Sequence, residues 1–235
     1  MKAVILHRVR DLRVEDVPAP KILADEVLIE VKATGICGTD LHIYKGEWKT
    51  RMPIVLGHEF SGAVADVGRE VKDLSVGDHV VAEPNIVCGK CRFCRMSERN
   101  YFCENLEAVG VTVNGAFAEY VKTKGRNVYK IPEELSFDEA ALIEPLACCI
   151  RGLDQAGIRT GDVIAIVGAG PIGLILLQLV KTGGASMVIQ TDIDEIRLEL
   201  ARKLGADHVL NVSRDNPAEA VKRLTGGYGV DVAIE

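Results

Sequence analysis

The chain has 235 residues, 48% hydrophobic and 26% charged, with a formal charge of -6 from 34 acidic and 28 basic side chains. That length suits one large or two modest globular domains, and an acidic balance without a Lys/Arg block excludes nucleic acid as an expected partner. The apolar run at residues 2–6 is too short for a signal peptide, and seven cysteines without an export signal point to a reducing, cytoplasmic setting.

Residues 1 to about 135 read as β-rich. Runs at 2–6, 26–33, 60–67, 79–82 and 117–121, split by Gly, Pro and Asp, predict successive short strands of a partly open barrel. Between the second and third runs, Gly35-Ile36-Cys37-Gly38-Thr39-Asp40-Leu41-His42 sets out a thiol, then a hydroxyl, then an imidazole. A metal held at Cys37 would leave Thr39 and His42 able to pass a proton out to water. The plainer reading is a packing cysteine followed by a glycine turn.

Gly57-His58-Glu59 and the distant Glu144-Pro145-Leu146 add an imidazole and two carboxylates. A zinc held by few strong protein ligands keeps a position open for water or substrate. Taken singly, His58 reads equally as a core histidine, and Glu59 and Glu144 as solvated charges.

The spacing Cys88-x2-Cys91-x2-Cys94-x8-Cys103 is the sharpest signal. Four thiolates complete a tetrahedral zinc with no open position, so the site is expected to be structural and to pin a protruding loop at about 84–105. An iron–sulfur cluster or free thiols are the alternatives. Lys90, Arg92, Arg95 and Arg99 are expected to offset the charge of the tetrathiolate.

Past Ile131-Pro132 the character changes. Ser136 predicts a helix N-cap with Glu139 at the third helical position, followed by an Ala-rich helical passage to about Gly157. Strands at 163–167, 187–191, 208–211 and 230–234 then alternate with helices at 171–182, 194–204 and 217–224. Such alternation signals a parallel, doubly wound sheet, with the domain boundary expected near residue 150. The uncharged stretch 163–180 is long enough for a membrane span, but glycines at its middle favour a strand, a turn and a buried helix. Four strands stand where this fold normally has about six, so a piece of a longer chain is expected.

Gly168-Ala169-Gly170-Pro171-Ile172-Gly173 lies between predicted strand and helix. The first glycine suits a tight turn, the second close approach to a pyrophosphate, the third packing of helix on strand. The helix start favours the anion. Asp192, at the end of the next strand, would accept from a ribose diol and repel a 2′-phosphate, favouring NAD over NADP. Pro171, Ile172 and Arg197 complete the expected cofactor-binding set. A glycine turn with Asp192 as a helix cap is the other reading.

As a set, these residues resemble the zinc-dependent medium-chain dehydrogenase/reductase family. The resemblance covers the whole chain and rests on five ordered motifs: Gly35 to Asp40, Gly57-His58-Glu59, the four-cysteine lobe, Glu144-Pro145 and Gly168 to Gly173. It implies a GroES-like catalytic domain over 1–150, then the first part of a Rossmann NAD-binding domain over 151–235, with a return to the catalytic domain beyond. Carried onto matching positions, Cys37, His58 and Glu144 ligate or flank a catalytic zinc, Glu59 is an exchangeable ligand, and Thr39 and His42 form a proton relay.

The implied cofactors are NAD and two zinc ions per full-length subunit, catalytic and structural. The implied partners are a small-molecule alcohol and copies of the chain in a dimer or tetramer, without nucleic acid or membrane. Glu144-Pro145-Leu146 and Glu83-Pro84-Asn85 resemble polyol (sorbitol-type) dehydrogenases. Thr39 to Tyr44, with Glu47-Trp48, resembles L-threonine 3-dehydrogenase equally. Oxidation of a polyol to a ketone is the first expectation and threonine oxidation the second. A zinc-free quinone or enoyl reductase on the same scaffold lacks these ligands. A non-catalytic nucleotide-binding protein keeping only the lobe zinc is separated by metal count. Arg151 stands where many relatives carry histidine.

Overall fold

Burial of alternate residues builds the first half of the chain. In the computed structural model all 235 residues are described, except the side chains of Ser97, Glu98 and Arg99; the expectation for Arg99 therefore lies outside the described residues. Backbone contacts divide the chain into Met1–Glu144 and Pro145–Glu235.

The first unit carries β1 (Lys2–Arg8), β2 (Asp11–Asp16), β3 (Glu26–Thr34), α1 (Gly38–Lys45), β4 (Ile54–Val55), β5 (Phe60–Val67), β6 (His79–Ala82), β7 (Asn85–Ile86), β8 (Glu107–Ala108), β9 (Tyr120–Lys124), β10 (Val128–Lys130) and the short α2 (Phe137–Ala140). Its sheets run β2-β1-β4, β10-β6-β5-β3-β9 and β7-β8. Val27 and Ile29 of β3, Phe60 and Val64 of β5 and Val80 of β6 are buried in one core, the period-2 alternation expected of strands with one apolar face.

Three features differ from the sequence expectation. Arg10, in the left-handed region at φ 62°, turns β1 back onto β2, whose sequence DLRVED is too polar to announce a strand. The run expected at 117–121 pairs with β3 only from Tyr120 onward. Phe117 instead accepts the Val4 N–H and donates its own N–H to the Leu56 carbonyl, and packs its ring into the cluster of Leu6, Ile43, Ile54 and Leu56. The third feature is α1, a helix where the glycines suggested a turn; its Ile43 is fully buried in that cluster, and tertiary burial outweighs low propensity.

At α2 the Ser136 hydroxyl accepts the Glu139 N–H at 3.2 Å while the Glu139 carboxylate accepts the Ser136 N–H at 3.1 Å, a reciprocal cap. Helix α3 (Ile143–Ala156) follows.

The second unit alternates β11 (Val163–Val167), α4 (Pro171–Thr182), β12 (Met187–Asp192), α5 (Glu195–Lys203), β13 (His208–Asn211), α6 (Pro217–Leu224) and β14 (Val232–Ile234). All pairs are parallel, in the order β13-β12-β11-β14, half of a doubly wound sheet. Ile164, Ile166 and Val188 meet Leu176, Leu177 and Val180 of α4 in its core. The uncharged stretch 163–180 is thus β11, a turn and α4; among the described residues no helix is long and apolar enough to cross a membrane.

Candidate metal centres and dinucleotide loop

Helix α1 organises the first cluster. Cys37 is its N-cap, and Thr39 and His42 stand one turn apart, on one face. The Thr39 N–H and hydroxyl donate to the Cys37 sulfur; burial nevertheless pushes the thiol pKa up, and the Glu59 charge adds to it. The ligand atoms of Cys37, His58 and Glu59 all lie within 4.8 Å of one another.

His58 is 7% exposed, and its Nδ1 has no hydrogen-bond partner. The Asp40 carboxylate is 3.7 Å from Nδ1, an ion-pair separation too long for a hydrogen bond. A thiol, a carboxylate and a buried imidazole with an unsatisfied nitrogen form a donor set that fits zinc.

Glu144 does not join that triplet. It lines a cavity of about 320 Å³ with Thr39, Trp48, His58 and Asn85. Burial pushes its pKa up to about 7, and the charges of Glu59 and Glu83 push the same way. A cation there would relieve that repulsion. A larger hollow of about 530 Å³, walled by Pro18, Ile54, Val113 and Thr123, contains none of the candidate residues.

Asp40 is the residue that sequence reasoning left out of the site. Only 3% exposed, it accepts the Cys37 N–H at 2.9 Å and the Gly57 N–H at 3.3 Å, so one carboxylate ties the two segments that carry Cys37 and His58. Its place three residues past an N-cap was the signal available.

The second cluster is the lobe whose base is closed by β7 pairing with β8. The sulfurs of Cys88 and Cys94 are 3.8 Å apart, those of Cys91 and Cys94 3.5 Å, and the Cys88 N–H donates to the Cys103 sulfur at 3.2 Å. Zinc–sulfur bonds of about 2.3 Å separate tetrahedral sulfurs by about 3.8 Å, so the four cysteines fit the ion. The N–H groups of Lys90 and Cys91 hold the Cys88 thiol down to about 6, whereas burial, with Cys91 and Cys103 after it, pushes Cys94 up to about 12. The Arg92 guanidinium pairs with Glu104 at 3.4 Å and stacks over Phe93.

In the second unit Gly168 adopts φ 92°, and a Cβ on Gly173 would lie 2.0 Å from the Gly168 carbonyl oxygen, whereas one on Gly170 would enter open space. Pro171 opens α4 and Ile172 is exposed beside it. The Asp192 carboxylate accepts N–H groups of Ala169, Ile193 and Asp194 at 2.7–2.9 Å, and Arg197 stands 3.9 Å away. Burial would raise its pKa, but these partners outweigh it and hold the pKa low. Asp194, not Asp192, caps α5.

Comparison with known proteins gives three findings. Residues 23–133 match the alcohol dehydrogenase GroES-like domain, and residues 171–235 match the zinc-binding dehydrogenase domain. Sorbitol dehydrogenase of Bacillus subtilis is 41% identical across all of this chain, which covers 68% of that protein; L-threonine 3-dehydrogenase of Shewanella putrefaciens is 41% identical over 94% of this chain, covering 65% of its own length. A zinc-binding dehydrogenase from Sinorhizobium meliloti, bound to NADP, superposes with TM-score 0.92 at 38% identity, covering 99% of this chain and 68% of that one. The chain thus spans about two-thirds of the length of these relatives.

Proposed function

The chain belongs to the zinc-dependent medium-chain dehydrogenase/reductase family, and on that premise we propose that it forms the larger part of an enzyme oxidising a secondary alcohol to a ketone with NAD, a sorbitol-type polyol first. The observation that carries this is the thiol–imidazole–carboxylate set of Cys37, His58 and Glu59 within 4.8 Å, with Thr39 and His42 on the helix that Cys37 caps. Similarity to the sorbitol enzyme supports the polyol.

Cys37 and His58 would hold the catalytic zinc, with Glu59 and Glu144 as carboxylates able to enter or leave its shell; Cys88, Cys91, Cys94 and Cys103 would hold the structural one. Bound zinc supplies a Lewis acid that makes a hydroxyl more acidic, as it lowers water from about 15.7 to about 7. Thr39 takes the substrate proton through its hydroxyl, and His42, one turn on, hands it to water. Asp40 keeps Cys37 and His58 in register through the Cys37 and Gly57 N–H groups. Gly168, Gly170 and Gly173 shape the loop for a pyrophosphate, with Pro171 and Ile172 beginning the helix beneath it. Asp192 would accept from a ribose diol, with Arg197 beside it, and its negative charge would disfavour a 2′-phosphate. A nicotinamide bound beside the site would supply the hydride acceptor. The acidic balance of the chain, without a Lys/Arg block, argues against a nucleic-acid partner, and a cytoplasmic dimer or tetramer away from membranes is proposed from the family resemblance.

L-Threonine is the second reading, supported by similarity to the Shewanella enzyme. Full-length enzyme assayed with sorbitol, xylitol, 2,3-butanediol and L-threonine, each with NAD and with NADP, separates the two. NADH formation fastest with the hexitol is expected. No reduced cofactor with any of the four defeats the proposal.

A further inference from the structure

We propose that Glu47 is a positioning residue for the proton relay, holding the His42 ring in the tautomer protonated on Nδ1 so that Nε2 is the nitrogen left to receive the proton from Thr39. The inference rests on the alcohol-oxidising reading of this site.

The chain is built to bring these two side chains together. Helix α1 ends at Gly46, whose left-handed backbone (φ 80°) reverses the chain, and a Cβ there would lie 2.8 Å from Val9. The reversal sets the Glu47 N–H on the His42 carbonyl at 2.9 Å and the Trp48 N–H on the same oxygen at 3.3 Å. With the backbone of Glu47 fixed to the residue it serves, its carboxylate meets His42 Nδ1 at 2.5 Å.

That contact does little for stability. The two side chains are 59% and 52% exposed, and exposed pairs of this kind contribute almost nothing to folding. Its consequence is chemical. The His42 hydrogen bond holds the Glu47 pKa low, helped by the charges of Lys45 and Arg10, and an ionised carboxylate only accepts hydrogen bonds. The hydrogen of this bond therefore belongs to Nδ1. A neutral ring with Nδ1 protonated carries its lone pair on Nε2. One proton moves in the relay step: Nε2 gains it, the Nδ1–H bond to Glu47 stays in place, and Nε2 returns it to water.

The fold decides this arrangement locally. A histidine in the last turn, a left-handed glycine cap and an acidic residue straight after it suffice. Asp40, on the same helix, tethers the Cys37 end, so the two ends of α1 carry separate carboxylates with separate tasks.

The test uses zinc-loaded, full-length protein labelled with nitrogen-15, comparing wild type with Glu47→Gln and Glu47→Ala. Long-range proton–nitrogen spectra report the tautomer, and the His42 pattern is the one lost in His42→Gln. Wild type is expected to show Nδ1–H. Both Glu47 variants are expected to shift toward Nε2–H, because alanine offers no acceptor and a carboxamide donates as well as accepts. For the alcohol found in the substrate panel, kcat should fall roughly three- to tenfold with KM nearly unchanged, a small part of what a proton-transfer group contributes. Nε2–H in the wild type, an unchanged tautomer in both variants, or a tautomer shift with unchanged kcat would each overturn the proposal. If the wild type oxidises no alcohol, the functional reading fails separately, while the spectra still decide whether Glu47 clamps the ring.

Discussion

Single carboxylates govern much of this chain, and each acts through what it accepts. Asp40 binds two N–H groups and faces His58; Asp192 binds three N–H groups. Glu26 accepts the Leu23 N–H at 2.9 Å and pairs with Lys122 at 2.8 Å and Lys124 at 3.2 Å. Its burial alone would raise the pKa, but the lysines and the Leu23 N–H outweigh that and lower it. A lowered folded pKa means that the unfolded chain binds the proton more readily, so the stability Glu26 adds is complete above the ordinary glutamate value and lost as pH falls through the folded one. Glu26→Gln should therefore cost about 1–2 kcal/mol at pH 7 and flatten the acid limb of the Tm–pH curve below about pH 4.5. Equal Tm differences at pH 7 and pH 3 would show that the pair contributes no linkage.

Elements differ in how far their own residues announce them. The Ser136–Glu139 cap and the strand–turn–helix around Gly168 are specified by neighbours in sequence, since capping and turn geometry reach only a few residues. Helix α1 is announced only at its ends, by Asp40 three residues past the Cys37 N-cap and by the left-handed Gly46 cap, while Gly38 weakens its start and burial of Ile43 beneath Leu6, Ile54 and Leu56 secures it. At the start of α4, Gly173 lies against the Gly168 turn and β12: a Cβ there would meet the Gly168 oxygen at 2.0 Å and the Gln190 amide at 3.0 Å. Gly173→Ala has to push the helix off the loop, at about 1–3 kcal/mol. Calorimetry should show a lower Tm, and titration of the full-length protein should show NAD bound at least tenfold more weakly. Undiminished NAD affinity would mean that the loop does not depend on that contact.

For the whole molecule, the two metal clusters give a count. Full-length wild type should hold two zinc ions per chain, and Cys37→Ser one, with turnover lost and NAD binding kept. Elemental analysis beside NAD titration measures both. A single zinc in metal-replete wild type would leave only the lobe occupied and return the non-catalytic reading.

What the amino-acid order determined alone is everything whose partners sit within about one turn or one loop: the cysteine spacing that gathers four sulfurs, the glycine turn, the period-2 and strand–helix rhythms that specify a β-rich unit followed by a parallel sheet. Tertiary structure alone decided the rest. It buried Ile43 of α1, delayed β9 to Tyr120, engaged Arg92 with Glu104, brought Asp40 against Gly57 and His58, and drew Cys37 to within reach of Glu59. Backbone geometry and short-range hydrogen bonding are written in adjacent residues. The meeting of segments some twenty residues apart depends instead on which apolar side chains share a core, and no local pattern states that.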